Sequence, residues 1–97
     1  MIVAVPTDDG KMVSEHFGRA KYFLIIDTNS KSTNLVENPH EKEENEQSGH
    51  GKLLKMLVEK KVSKVICFNL NPRMEGNLNS LHMAVEKTNE MDISKLL

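Results

Sequence analysis

Apolar residues in this chain of 97 residues fall in short runs separated by polar turns, a pattern typical of the strands of an α/β protein. The run Ile2-Val3-Ala4-Val5 is uninterrupted, as in a central strand buried on both faces, and Pro6 ends it. The runs Tyr22–Asp27 and 33–38 are joined by a short polar segment. That spacing predicts an antiparallel hairpin.

The second half of the chain alternates helical and strand patterns. Leu53, Leu54, Leu57 and Val58 predict one apolar face of a helix that Ser48 caps. A strand that follows a helix in this way returns by a crossover, so the next apolar run is predicted to lie parallel to the first strand. The later elements are predicted as a strand at 65–68, a helix at 73–81 after Pro72, an edge strand at 82–87 and a helical turn at 92–97.

The order of these elements predicts one α/β domain spanning residues 1–97. We expect a mixed five-stranded sheet with the first strand at its centre, the hairpin on one side and the crossover strands on the other. Two to three helices complete it. This arrangement is ribonuclease-H-like.

Composition removes several classes of function. The formal net charge is −1 and no basic cluster is present, which argues against nucleic acid or an anionic membrane as a partner. The single cysteine, Cys67, excludes an intrachain disulfide and a cysteine-rich metal motif, and its mid-strand position predicts an inert buried thiol. There is no secretory leader pattern and no apolar run of the roughly 18 residues that a membrane span needs. We therefore expect a cytoplasmic protein.

The segment between the first two strands, residues 14–20, carries the most chemistry. His16 offers an imidazole that ligates iron, zinc or copper, Gly18 allows backbone N–H groups to face an anion, and Arg19 adds a positive charge. Phe17 lies among them. An ordinary turn uses the same residues, with His16 packed on Phe17 and hydrogen-bonded to a turn carbonyl.

Two more histidines flank an acidic stretch. His40 and His50 could join His16 in a metal site, although the spacing matches no closed motif. Gly49 and Gly51 flank His50 at the start of the predicted helix, where free N–H groups can donate hydrogen bonds to an anion. The alternative is that His40 and His50 are solvated side chains without a ligand.

Catalysis has little support in the sequence. A two-metal nuclease needs carboxylates converging on the central strand, whereas only Asp8 and Asp9 follow that strand and none lies within it. No phosphate-binding loop, dinucleotide fingerprint or Ser–His–Asp arrangement is recognisable. We expect that the protein is not an enzyme.

Five segments, taken in order, resemble the dinitrogenase iron–molybdenum cofactor biosynthesis family, of the NifX and NifB carboxyl-terminal type. They are Ile2-Val3-Ala4-Val5-Pro6, Ser14-Glu15-His16-Phe17-Gly18-Arg19-Ala20, Glu37-Asn38-Pro39, Gly49-His50-Gly51 and Asn69-Leu70-Asn71-Pro72. The resemblance implies a ribonuclease-H-like fold without nuclease activity. It also implies binding or carriage of an iron–sulfur or iron–molybdenum-type cluster, with contact at the His16 segment and with a cofactor-donor or acceptor protein as partner.

The functional expectation is therefore a non-enzymatic binding or carrier domain for such a cluster or for a small anionic cofactor. The residues assigned to cofactor binding are His16, Phe17, Gly18, Arg19, Gly49, His50 and Gly51, and those assigned to a metal are His16, His50 and His40. The alternative is a protein-interaction or regulatory module with no bound cofactor, which the acidic stretch and the polar helices fit equally well.

Overall fold

A five-stranded sheet with two helices forms the protein in the computed structural model. The structure describes residues 1–39 and 46–96, and of residues 46–50 it describes the backbone alone. The strands are β1 (Ile2–Thr7), β2 (Tyr22–Asp27), β3 (Ser32–Glu37), β4 (Lys64–Cys67) and β5 (Ala84–Lys87). The helices are α1 (Glu46–Glu59), α2 (Pro72–Ser80) and a 3₁₀ turn (Ile93–Lys95). No helix in the described ranges has both the length and the apolar character needed to cross a membrane.

The strand order is β3-β2-β1-β4-β5, which puts β1 at the centre. β1 is antiparallel to β2 and parallel to β4, and β2 pairs with β3 as an antiparallel hairpin. β5 lies parallel to β4 at the far edge. The mixed sheet, its central first strand and the hairpin are therefore confirmed.

One face of the sheet is covered by both helices, and we call it the covered face. Leu53 and Leu57 of α1 and Met74 and Leu78 of α2 pack there with strand residues such as Phe23. Each fully buried side chain of this kind contributes about 1.5–3 kcal/mol relative to exposure. This face holds the larger part of the core.

The opposite face carries no α-helix among the described residues, and we call it the open face. Val3 and Val5 of β1 and Ile66 of β4 lie there under Val13, from the segment after β1, and Ile93, from the 3₁₀ turn. Backbone hydrogen bonds from Val13 N to Met91 O and from Ile93 N to Lys11 O, 2.7 and 3.0 Å, join these two covering segments. Irregular backbone therefore replaces a helix layer here.

Two details of α1 differ from the prediction. The helix begins at Glu46, two residues before Ser48, so Ser48 lies inside the first turn and is not its cap. Leu53 and Leu57 are buried four residues apart, whereas Val58 is 50% exposed. At 3.6 residues per turn Val58 lies about 100° around the helix from Leu57, which takes it off the covered face.

The second helix and the last strand follow the prediction with shifted ends. The Asn71 side chain caps α2 by accepting a hydrogen bond from Met74 N at 2.8 Å, and Pro72 occupies its first turn. β5 begins at Ala84, two residues after the predicted start at 82. His82 adopts a left-handed backbone conformation, with φ of 64°, and this turn precedes the strand.

Candidate functional site

The segment between β1 and β2 is an ordered loop, and its first half is held by Thr7 and Asp9. The buried Thr7 hydroxyl donates to Met12 O at 2.6 Å and accepts from Gly10 N at 2.9 Å. Asp9 Oδ1 accepts hydrogen bonds from Lys11 N and Met12 N at 2.8 and 2.9 Å. These two N–H groups hold the pKa of Asp9 below its ordinary value, because they stabilise the ionised carboxylate.

We call the second half, residues 14–20, the His16 loop. Hydrogen bonds from Asn38 hold it in place, and we call this set of bonds the Asn38 clamp. Asn38 is fully buried at the end of β3. Its Nδ2 donates to Gly18 O at 3.1 Å and to Ala20 O at 2.8 Å, while its backbone N donates to Lys21 O at 3.0 Å. A residue 20 positions away in the sequence thus fixes the carbonyls of the loop.

Phe17 anchors the same loop in the core. Its side chain is 5% exposed and meets the ring of Phe23 edge to face, with centroids 5.1 Å apart and an interplanar angle of 75°. Such a pair contributes about 0.5–1.5 kcal/mol beyond the burial of area. The prediction that Phe17 contacts a cofactor is not supported by this placement, because the ring packs beneath the loop with the covered-face core.

His16 is exposed at the surface of the loop. Its backbone N donates to Ser14 Oγ at 3.2 Å, and that hydroxyl lies 3.3 Å from His16 O, so the backbone is fixed while the side chain is exposed. The imidazole makes no hydrogen bond or ion pair with any described residue. The ordinary-turn alternative, with the ring packed on Phe17, does not match this exposure.

The residues that follow His16 in the sequence offer backbone N–H groups and positive charges. The N–H groups of Phe17 and Gly18 donate no hydrogen bond to a described residue. The side chains of Arg19 and Lys21 are exposed and form no ion pair within the described ranges. An imidazole, free amides and two positive charges form a set that suits an anionic guest containing metal.

The remaining predicted site residues are placed less favourably. His40 lies outside the described residues, and Gly49 and His50 lie in α1 where only the backbone is described. Because α1 begins at Glu46, its unpaired amino-terminal N–H groups precede Gly49. These bounds do not favour free N–H groups at Gly49, His50 and Gly51, and a role for the three residues in cofactor binding stays a prediction. Gly51 is exposed, with open space where a Cβ would lie.

The topology still places the start of α1 near the strand ends that carry the His16 loop. Thr7, at the end of β1, pairs with Tyr22, and Tyr22 pairs with Glu37 at the end of β3. α1 leads from this edge back to Lys64, which pairs beside Val3 near the start of β1. The amino-terminal end of α1 is thus on the same side of the molecule as the loop.

A preformed site for a single metal ion is not found in the described part of the chain. No group of three His, Cys, Asp or Glu side chains there could hold an ion, and His16 is the one member of the predicted histidine set whose ring is described. Cys67 is buried, as predicted, and burial raises the pKa of its thiol to about 11. It stays protonated at neutral pH and is a poor ligand.

Comparison with known proteins identifies the family. The family model for dinitrogenase iron–molybdenum cofactor proteins matches residues 1–97. The chain therefore belongs to the dinitrogenase iron–molybdenum cofactor family. No curated protein matches it.

Solved structures resemble the whole fold. The crystal structure of PH0822 is 33% identical with a TM-score of 0.82, over 99% of this chain and 84% of that chain. A Thermotoga protein solved by NMR, described as a proposed NifB protein that belongs to the DUF35 family, is 28% identical with a TM-score of 0.78, over 97% of this chain and 81% of that chain. The apo form of the orange protein from Desulfovibrio gigas has a TM-score of 0.82 over 97% and 81%, and its 16% identity shows likeness of fold alone.

Proposed function

We propose that this protein binds and carries a preassembled iron–sulfur or iron–molybdenum-type cluster, or a comparable small anionic cofactor, at the His16 loop. The observation that carries the proposal is the exposed imidazole of His16 on a loop that Phe17 and Asn38 fix from below. Membership of a family named for the iron–molybdenum cofactor supports the same assignment.

The residues fit a cluster better than a bare ion. A neutral imidazole supplies one bond to one metal, whereas a protein site for a single zinc ion takes three or four ligands. The described side chains offer no such set. A cluster arrives with its metals already bridged, so it needs few protein bonds. Arg19 and Lys21 would offset its negative charge, and the Phe17 and Gly18 amides would donate to its outer atoms.

Weak protein ligation also suits transfer. A cargo held by one imidazole and by surface charges can be released to an acceptor, so we propose a cofactor-donor or acceptor protein as the partner. The proposal includes no catalysis and takes the fold as ribonuclease-H-like without nuclease activity. The interior of β1 carries no carboxylate, and Asp8 accepts a hydrogen bond from Lys21 N at 2.9 Å. A fold of nuclease type does not by itself supply the reaction.

An anaerobic titration with a synthetic thiolate-ligated [4Fe–4S] cluster tests the proposal. Absorbance follows uptake, and histidine NMR resonances report which ring is perturbed. We expect His16→Ala to weaken binding by about tenfold or more, the equivalent of about 1.4 kcal/mol. The matched control is His82→Asn, because His82 is exposed and asparagine tolerates its positive φ.

The opposite result is also informative. Unchanged binding by the His16→Ala variant would show that the imidazole is not a ligand. If neither the parent protein nor the variants take up a cluster, while a specific partner is recovered independently of metal and redox state, the interaction-module hypothesis replaces the carrier.

A further inference from the structure

A groove of about 1010 Å³ lies on the open face of the sheet, away from the His16 loop. Leu24 and Ile26 of β2, Ile93 of the 3₁₀ turn and Met12 give it an apolar lining. Small-molecule sites commonly enclose about 300–1,000 Å³ with a mainly apolar lining and a few polar groups. No residue of the His16 loop lines it, so it is a separate feature of the molecule.

Two lysines give the groove a positive character. Lys11 and Lys31 line it, and neither ammonium forms an ion pair within the described ranges. The acidic residue of the lining, Asp92, accepts hydrogen bonds from Ser94 N at 3.0 Å and Ser94 Oγ at 2.7 Å. These bonds lower the pKa of Asp92, so it is ionised at neutral pH but already has donors. Two lysines against one carboxylate leave the lining with a net positive charge, which complements an apolar molecule that carries an anionic group.

The groove follows the length of β3. Lys31 immediately precedes that strand, whereas Gly10, beside Lys11, lies next to Leu35: a Cβ built on Gly10 would be 3.6 Å from Leu35 Cδ1. Leu35 lies four positions after Lys31, a span of about 13 Å along the strand. The shape therefore suits an extended chain better than a compact ring.

The anionic group is expected at the Lys31 end. The backbones of Asp92 and Met12 form an isolated β-bridge, and Ile93 N donates to Lys11 O at 3.0 Å. The Asp92 carboxylate therefore lies near Lys11 and weakens the positive potential there. Asp27, at the turn before Lys31, accepts from Asn29 N at 2.9 Å, and strand alternation puts it on the face opposite Ile26. The Lys31 backbone is fixed by its own N–H, which donates to Asp27 O at 2.7 Å.

We propose that this groove binds a long-chain aliphatic carboxylate. The chain lies on Leu24, Ile26 and Ile93, and the carboxylate pairs with Lys31. Exposed Met12 and Leu35, each 45% accessible, border the path of the chain. A second copy of this protein is a poorer occupant, because a two-fold contact over this face would bring like-charged lysines together.

Titration with dodecanoate, kept below the concentration at which it forms micelles, tests the proposal by methyl NMR. We expect saturable shifts at Leu24, Ile26 and Ile93 and none at Leu53 and Leu57 of the covered face. Dodecyltrimethylammonium, which has the same chain and the opposite charge, should bind more weakly.

Two lysine variants locate the carboxylate. Lys31→Asp should weaken dodecanoate binding roughly tenfold. The matched control is Lys61→Asp, because Lys31 and Lys61 have φ of 62° and 61°, aspartate tolerates that conformation, and Lys61 does not line the groove. Equal binding by Lys31→Asp and the parent protein would overturn the proposal. So would shifts spread over both faces, or shifts of the groove methyls that depend on protein concentration without dodecanoate, which would indicate self-association.

Discussion

The covered face of the sheet is packed under two helices, whereas the open face is closed by a loop and a 3₁₀ turn. On the covered face, side chains from α1 and α2 interdigitate with the strands and are buried. On the open face, Val13 and Ile93 shield a smaller cluster and leave the groove beside it. Stability is therefore expected to reside mainly on the covered face, while surface for small molecules is left on the open face.

The largest expected effect on stability comes from a pair of leucine truncations, one on each face of the sheet. Leu53→Ala removes a fully buried side chain under α1 and should lower the free energy of unfolding by about 2–5 kcal/mol. Leu24→Ala acts on a partly buried side chain that lines the groove and should cost about 1 kcal/mol. Urea unfolding of both variants measures the two values. Equal losses would mean that the open face is packed as tightly as the covered one.

The next largest effect is expected when the Asn38 clamp, which joins the hairpin to the His16 loop, is removed. Asn38→Leu leaves the part-buried carbonyl of Gly18 and the buried carbonyl of Ala20 without their donor, which should cost about 1–3 kcal/mol. Amide exchange in the loop should accelerate in the same variant. Asn34→Leu, at an exposed position of β3, is the control and should leave both quantities nearly unchanged. Unaltered loop exchange in Asn38→Leu would show that the clamp does not order the loop.

A helical glycine gives a smaller effect of opposite sign. Gly51→Ala introduces a better helix former into α1 where a Cβ meets open space, so it should stabilise the protein by about 0.5–1 kcal/mol. Gly76→Ala does the same in α2 and is the matched control. If Gly51→Ala alone weakened cluster uptake, the glycine would have a role in the site beyond helix formation.

The smallest expected effect is that lowering the pH increases local opening on the open face before it does so on the covered face. The carboxylates of Asp9 and Asp92 accept backbone N–H bonds in the loop and the 3₁₀ turn, and both pKa values lie below the ordinary one. A depressed folded-state pKa stabilises the protein above the unfolded pKa of about 3.9, and the contribution is lost as pH falls through the folded-state value.

Amide exchange of Val13 and Ile93 should therefore increase on acidification below about pH 4, relative to that of Leu53 and Leu57, after correction for intrinsic rates. Asp9→Asn and Asp92→Asn should reduce this dependence on pH. A parallel change on both faces would contradict the assignment to these two carboxylates.

The sheet could be predicted from the sequence because its signals are local. The apolar run of β1, the short turn before β3 and the crossover through α1 are each sufficient to fix a neighbour in the sheet. The limits of α1 were harder to predict, since an acidic stretch without apolar periodicity precedes it and Ser48 is a good cap by type alone.

The placement of the candidate residues could be predicted only in part, and their role in binding stays a prediction. His16 was identified by its chemistry, and the structure exposes it. The inward direction of Phe17 depends on its contact with Phe23, and the role of Asn38 depends on hydrogen bonds to Gly18 and Ala20. Both are tertiary contacts, which residue type does not specify. The one available signal for Asn38 was a polar side chain at the end of a strand, directly before Pro39.

Among the described residues, the hydrogen bonds and the aromatic ring contact that hold the His16 loop join residues within the first 38 positions. Ser14 N donates to Pro6 O at 2.8 Å, Phe17 meets Phe23, and Asn38 donates to Gly18 and Ala20. During synthesis these partners leave the ribosome before Lys64 and the rest of β4 are made. We therefore expect the loop to take its shape in the nascent hairpin, ahead of the helices that later cover the sheet.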